Sequence, residues 1–150
     1  MRILVQLCQR GRVVVDDKVV SEISHGEVVF VGFTEGDDEK TISFMIEKLL
    51  KLRIFADKEG KTNLSVFDVR GSILAISQFT LYADVRKGNR PSFVHALGHE
   101  KSKPLYDLFV DLLSKRYPSC AFGIFGADMK VDFVNDGPFT ILLDSQELLR

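Results

Sequence analysis

The chain has 150 residues, 45% of them hydrophobic and 27% charged, a balance that fits one domain spanning 1–150 with an ordinary core and excludes a disordered chain. Its formal net charge is −1, so a surface built to grip long stretches of duplex is not expected, and any nucleic-acid contact should involve a few phosphates at most. Its two cysteines, Cys8 and Cys120, form no C-x-x-C pair and suggest a reducing compartment.

Met1 leads directly into strand-like sequence, Arg2 to Gln9, with no apolar leader and cleavage site. Apolar runs such as Glu27 to Phe33 are strand-length and too short to span a bilayer, so the expectation is a cytoplasmic protein without a membrane partner. Ile3–Leu7, Arg12–Val15, Val19–Ile23 and Val28–Gly32 read as strands, with turns at Asp16-Asp17-Lys18 and His25-Gly26. After Asp37-Asp38, apolar residues at Ile42, Met45, Ile46, Leu49 and Leu50 follow the spacing of a helix lying on a core.

Asp57 to Gly60 reads as an exposed turn and Ser72–Ile76 as a short apolar strand, while Asp84 to Gly98 is polar and reads as a loop. A second helix is predicted from about Ser102 to Tyr117, its face formed by Leu105, Leu108, Phe109, Leu112 and Leu113. Pro104 suits its first turn, Lys115 and Arg116 its last, and Pro118 ends it. Strands are expected around Phe122–Phe125, Met129–Val134 and Phe139–Leu143. The order predicts an α+β domain with mixed or antiparallel, partly barrel-like sheets and two main helices.

Several familiar chemistries lack their residues. His25, His95 and His99 have no Cys or His partners at metal-ligand spacing, and the i, i+4 pair His95/His99 falls in loop-like sequence, so surface histidine is the reading and no metal is expected. No G-x-S-x-G, G-x-x-x-x-G-K-[ST] or G-x-G-x-x-G motif occurs. The acidic run Glu35 to Glu39 precedes a helix, where acids complement the dipole. Cys8, in an apolar strand pattern, reads as a core residue rather than a nucleophile.

Two segments stand out. Ser77-Gln78-Phe79-Thr80-Leu81-Tyr82-Ala83-Asp84 follows a buried strand and places hydroxyl and amide groups beside an aromatic where the chain must change direction; Ser77 and Thr80 could equally be strand-end caps. Val134-Asn135-Asp136-Gly137-Pro138-Phe139-Thr140 carries an ordinary turn signal between two β-runs, with a Gly-Pro bond that can be cis at modest cost.

Taken together, Ser77-Gln78-Phe79-Thr80-Leu81 and Asn135-Asp136-Gly137-Pro138-Phe139-Thr140 give the chain a resemblance, nearly end to end, to the D-aminoacyl-tRNA deacylase family of the common bacterial and eukaryotic type. Arg53-Ile54-Phe55 with Asp57, Gly88-Asn89-Arg90-Pro91-Ser92-Phe93, Leu105-Tyr106-Asp107 and Phe122-Gly123 to Met129 support it.

The resemblance implies a homodimer in which a cis Gly137–Pro138 element enters the partner's pocket and its two carbonyls accept from the substrate ammonium. An L side chain would meet that backbone, whereas a D side chain would point outward. Rejection by sterics predicts leakage towards glycine, including glycine mischarged on tRNA-Ala. Met129, Phe139 and Thr140 are implied to line the substrate site with Gly137 and Pro138.

Backbone N–H groups around Phe79 and Thr80 are the implied oxyanion hole, with Ser77 and Gln78 positioning the terminal adenosine and Phe79 packing beside its adenine. The resemblance favours assistance by the terminal 2′-hydroxyl over nucleophilic attack by Thr80, which has no obvious activating base nearby in sequence. It implies no cofactor. Arg86, Lys87 and Arg90 are candidates for the phosphates of the aminoacyl-tRNA 3′ end.

The chain departs from the family pattern with Gln6-Leu7-Cys8 for Gln-Arg-Val, with Phe139 for a smaller Val, and with a slight extension at Gln146 to Arg150. A lost arginine could alter how the Gly-Pro element is held. Two other readings stay open: a hydrolase with Thr80 as covalent nucleophile, and a nucleic-acid-binding module that kept the fold without the chemistry.

Overall fold

A computed structural model describes residues 1–150. Strand β1 (Arg2–Val15) organises the fold, because its length lets it pair along both edges. One edge serves first β3 (Gly26–Gly32) and then β2 (Lys18–Ile23), both antiparallel; the other carries β8 (Lys130–Asp144), also antiparallel. Two expected strands are thus a single strand, since the polar Gln9 and Arg10 fall in a register irregularity and do not end it. Asp16 and Asp17 both take positive φ, as a tight two-residue hairpin between Val15 and Lys18 requires.

Beyond β3 the sheet turns parallel: β6 (Ser72–Ser77) pairs with β3 and β7 (Cys120–Phe122) with β6. The β3–β6 crossover contains α1 (Glu39–Leu50) and a small hairpin of β4 (Phe55–Ala56) and β5 (Thr62–Leu64) around the expected Asp57–Gly60 turn. The β6–β7 crossover contains α2 (His99–Arg116). Strand β2 lies close to β6 and β7, which curls the mixed sheet nearly into a barrel.

This curl creates two cores. Cys8, Val13, Val28, Leu74 and Ile76 fill the inside of the curl. Val29, Val31, Ile73 and Ala75, on the opposite face of the same strands, pack against α1 and α2. Strands buried on both faces need continuous apolar runs, which explains Gly26–Gly32 and Ser72–Ser77. Burying a large apolar side chain such as Ile73 contributes about 1.5–3 kcal/mol.

In α1 the predicted stripe is buried in full, and Asp38 caps the helix by accepting the Thr41 N–H at 2.8 Å. Helix α2 begins at His99, three residues before the expected start, so Pro104 lies beyond the first turn. Its buried line is Ser102, Tyr106, Phe109 and Leu113, while Leu105, Leu108 and Leu112 flank it. Tyr106 can occupy the core because its hydroxyl donates to Ala75 O at 3.1 Å. The C-terminal extension forms a short helix, α3 (Ser145–Leu148), capped by Asp144.

The last three expected strands also resolve differently. Ile124–Asp128 is irregular, and β8 runs without a break across the Asn135–Pro138 turn signal. That signal forms a broad bulge: Asn135 opposes Cys8 and Thr140 opposes Gln6, so four residues of β8 face Leu7 alone.

Candidate functional site

Parallel strands β3, β6 and β7 all deliver their C-terminal ends to one edge of the sheet, the place where open α/β sheets leave a crevice for ligands. A cavity of about 640 Å³ lies there. It is lined by Val31, Gly32 and Ile76, by Phe79 and Phe93, by Phe125 to Met129, and by His99 and Ser102 of α2.

Ser77 ends β6 at this cavity, and Gln78 follows it outside the ladder. The Gln78 N–H donates to Val31 O at 2.7 Å, pulling its backbone tightly against the end of β3. Gly32 makes that approach possible, since a Cβ there would lie 2.8 Å from Gln78 O. The chain then makes one 3₁₀ turn, Phe79–Tyr82. The N–H groups of Phe79 and Thr80 precede its first bond, Leu81 N–H to Gln78 O at 3.4 Å, so they take no partner within the turn.

The turn is held from below by Arg2, whose Nη1 donates to Leu81 O at 2.8 Å while Nε donates to Asp144 at 2.7 Å. The same guanidinium sits 4.6 Å from the centre of the Tyr82 ring. Sequence reasoning gave Arg2 no role, because its three partners are dispersed along the chain. Thr80 is exposed beside the cavity, and its hydroxyl is bonded to the Gln78 side-chain amide at 2.6 Å.

Of the residues expected in the site, Ser77, Gln78, Phe79 and Met129 line the cavity, with Thr80 adjoining. Gly137, Pro138, Phe139 and Thr140 do not. They lie on the β8 bulge, beyond the cavity-lining Val131 by four residues of strand to Asn135, roughly 13 Å. There the Gly137–Pro138 bond is cis and both residues are exposed.

Asn135 closes the bulge by accepting the Phe139 N–H at 3.0 Å, and Gln6 donates to Thr140 Oγ1 at 3.0 Å. Leu7 packs on the apolar core, so the bulge is held by Asn135 and Gln6.

The loop after the 3₁₀ turn returns through Phe93, whose ring meets that of Phe79 edge-on at 5.0 Å. With Phe79 55% and Phe93 40% exposed, this pair is an apolar surface at the cavity mouth. Lys87 and Arg90 are exposed on the loop and form no ion pair, whereas Arg86 is bound to Asp84. The bonds from Arg86 hold the Asp84 carboxyl well below the usual carboxylate range.

His99 begins α2 and lies against Phe125 at 5.1 Å, while His95 faces Asp84 at 3.5 Å. Phe93, His99 and Phe125 were not singled out as site residues, because the loop and helix that join them to Ser77 are remote in sequence. Cys8 is buried, and burial pushes its thiol up to about 11.

The family model described as D-Tyr-tRNA(Tyr) deacylase matches residues 4–144. The D-aminoacyl-tRNA deacylases of Clostridium acetobutylicum and Syntrophus aciditrophicus are each 50% identical to this chain over 148 residues, 99% of both chains.

Among solved structures, one named c-Myc DNA Unwinding Element Binding Protein superposes with a TM-score of 0.91 at 39% identity, covering 96% of this chain and 98% of the other. Another, described as a "probable eukaryotic D-amino acid tRNA deacylase", superposes with a TM-score of 0.84 at 20% identity and shares the fold, covering 95% of this chain and 97% of its own.

Proposed function

The chain belongs to the D-Tyr-tRNA(Tyr) deacylase family and is a hydrolase of aminoacyl-tRNA esters; from that premise we propose that it clears D-aminoacyl-tRNA as a cytoplasmic homodimer whose two sites are each built from both subunits. The observation that carries this is the separation of the two motifs. The cavity holds Ser77, Gln78 and Phe79, while the Gly137–Pro138 bulge lies exposed and apart from it on the same chain. A second copy can bring its bulge to this cavity, which the chain's own strand geometry does not.

In this reading the terminal adenosine occupies the cavity, with its base beside the exposed face of Phe79. The ester carbonyl faces the N–H groups of Phe79 and Thr80, which stabilise the charge that develops on its oxygen. The partner subunit's Gly-Pro backbone accepts from the ammonium and leaves no room for an L side chain. Glycine has no side chain to reject, so Gly-tRNA, including glycine mischarged on tRNA-Ala, is also a substrate. Lys87 and Arg90 meet phosphates of the 3′ end.

Attack by water assisted by the terminal 2′-hydroxyl accords with the surroundings of Thr80. Its hydroxyl contacts an amide, which cannot accept a proton as a base would. A nucleic-acid-binding module, as the name of one structural neighbour suggests for that protein, is disfavoured by the intact Ser77–Thr80 and Asn135–Thr140 motifs.

The shared site is tested by complementation. Gln78→Ala and Gly137→Ala chains are each purified, mixed, dissociated and reassociated. Hybrid dimers have one site with both lesions and one with neither if the motifs meet across subunits, so activity returns on mixing. Activity that stays at the level of the two parents contradicts the shared site.

A further inference from the structure

We infer that Asp84 is a positioning residue for the cavity mouth, acting with Arg86 as a clamp that fixes Phe93 against Phe79; the inference rests on the deacylase reading of the site. Asp84 lies on a solvent-facing loop, yet its side chain is only 17% exposed, because the loop is folded back upon it. Its carboxylate accepts from the Arg86 guanidinium through Nε at 2.9 Å and Nη2 at 2.7 Å, and from the Arg86 backbone N–H at 3.0 Å. Two bonds from one planar guanidinium to one carboxylate fix orientation as well as distance.

The backbone of Asp84 makes the second half of the clamp. Its N–H donates to Ser92 O at 2.7 Å and its carbonyl accepts the Ser92 N–H at 2.9 Å. Phe93 is the next residue, so its position follows from Asp84. The far end of the loop is tied separately to the end of β3, by Leu97 N–H to Phe33 O at 2.9 Å and by the Thr34 hydroxyl to His95 O at 2.6 Å. Between these anchors, Val85 to Pro91 are exposed.

This gives Arg86 a different task from Lys87 and Arg90. With its Nε and Nη2 N–H groups committed to one carboxylate, the guanidinium cannot turn that edge to a phosphate without breaking the clamp. Arg86 therefore acts within the protein, on the geometry of the aromatic pair, and its effect on catalysis is felt with any substrate that places a base there.

The test compares D-aminoacyl-tRNA with D-aminoacyl-adenosine, which carries no phosphate, for the wild type, Arg86→Ala, Asp84→Ala, Phe93→Ala and the double variant Asp84→Ala/Phe93→Ala. Arg86 is largely exposed, so its truncation leaves the fold intact and provides an interpretable result even if Asp84→Ala folds poorly. The clamp predicts that Arg86→Ala raises KM roughly five- to tenfold for both substrates with kcat little changed. It predicts that Asp84→Ala has a similar effect, which largely disappears in the Phe93→Ala background.

A loss seen with tRNA alone makes Arg86 a phosphate contact and overturns the inference, as do additive effects of Asp84→Ala and Phe93→Ala. Failure of the wild type to cleave either D-ester would instead count against the deacylase reading itself.

Discussion

The side-chain amide of Gln78 donates to the hydroxyl of Thr80 at 2.6 Å, joining the two polar side chains at the lip of the cavity. This bond occupies the group that a nucleophilic threonine would need to have activated, and Gln78 supplies no base. Thr80→Ala is therefore expected to retain turnover, with kcat lowered by no more than about tenfold through lost positioning. Single-turnover hydrolysis of D-Tyr-tRNA checks this; complete loss, with a trapped acyl-enzyme in the wild type, would establish covalent catalysis.

Gly137 has φ +137°, and a Cβ there would lie 2.9 Å from the Phe139 nitrogen, whose N–H is the bond that closes the bulge on Asn135. Gly137→Ala must displace the bulge. The D-ester kcat/KM should fall by about 10- to 100-fold, and the preference for D over L should narrow, while a thermal melt stays near that of the wild type because the bulge is exposed. An unchanged D/L ratio would separate chirality from this element.

The fold was legible wherever periodicity carried the signal. Ile42, Met45, Ile46, Leu49 and Leu50 spelled out α1, and the buried run Ser72–Ile76 gave β6 to within a residue. What misled was local turn chemistry. Asn135 to Pro138 resembles a loop between strands because a four-residue bulge uses the same residues as a turn, and only long-range pairing with β1 keeps β8 continuous.

The start of α2 is hard to read in sequence because its N-cap, Gly98, has no capping side chain to announce it. In the site, the contiguous motif Ser77–Thr80 was readable. Arg2, Phe93 and Phe125 were not, since each joins the site through tertiary packing alone.

Glu27 lies on β3, 1% exposed, with Oε1 lacking any hydrogen-bond partner, and desolvation pushes its carboxyl up from 4.5 to about 8. The folded state thus holds a proton that the unfolded chain releases. Its contribution to stability is greatest below 4.5, declines as pH rises, and is fully lost above about 8. The wild-type melting temperature should fall between pH 5 and 8, and Glu27→Gln should flatten that fall and raise stability at pH 8 by about 1 kcal/mol or more. Parallel pH profiles for the two proteins would refute the buried acid.

Lys87 and Arg90 are the unpaired cations of the mouth loop. Reversing both to Glu should raise KM for D-aminoacyl-tRNA several-fold at low salt and shrink the salt dependence by about two phosphate contacts. D-aminoacyl-adenosine should be unaffected. Titration of KM against salt with both substrates reads this directly, and an unchanged salt slope would remove these side chains from the tRNA path.

At the heart of the proposed function, the site hydrolyses the ester of a D-amino acid on tRNA and spares the L form. Side-by-side hydrolysis of D-Tyr-tRNA and L-Tyr-tRNA by the purified protein, with EDTA present, tests it most directly. Rapid loss of the D-ester and persistence of the L-ester are expected. Equal loss of both would contradict rejection by the Gly137–Pro138 backbone, and loss of neither would contradict the deacylase itself.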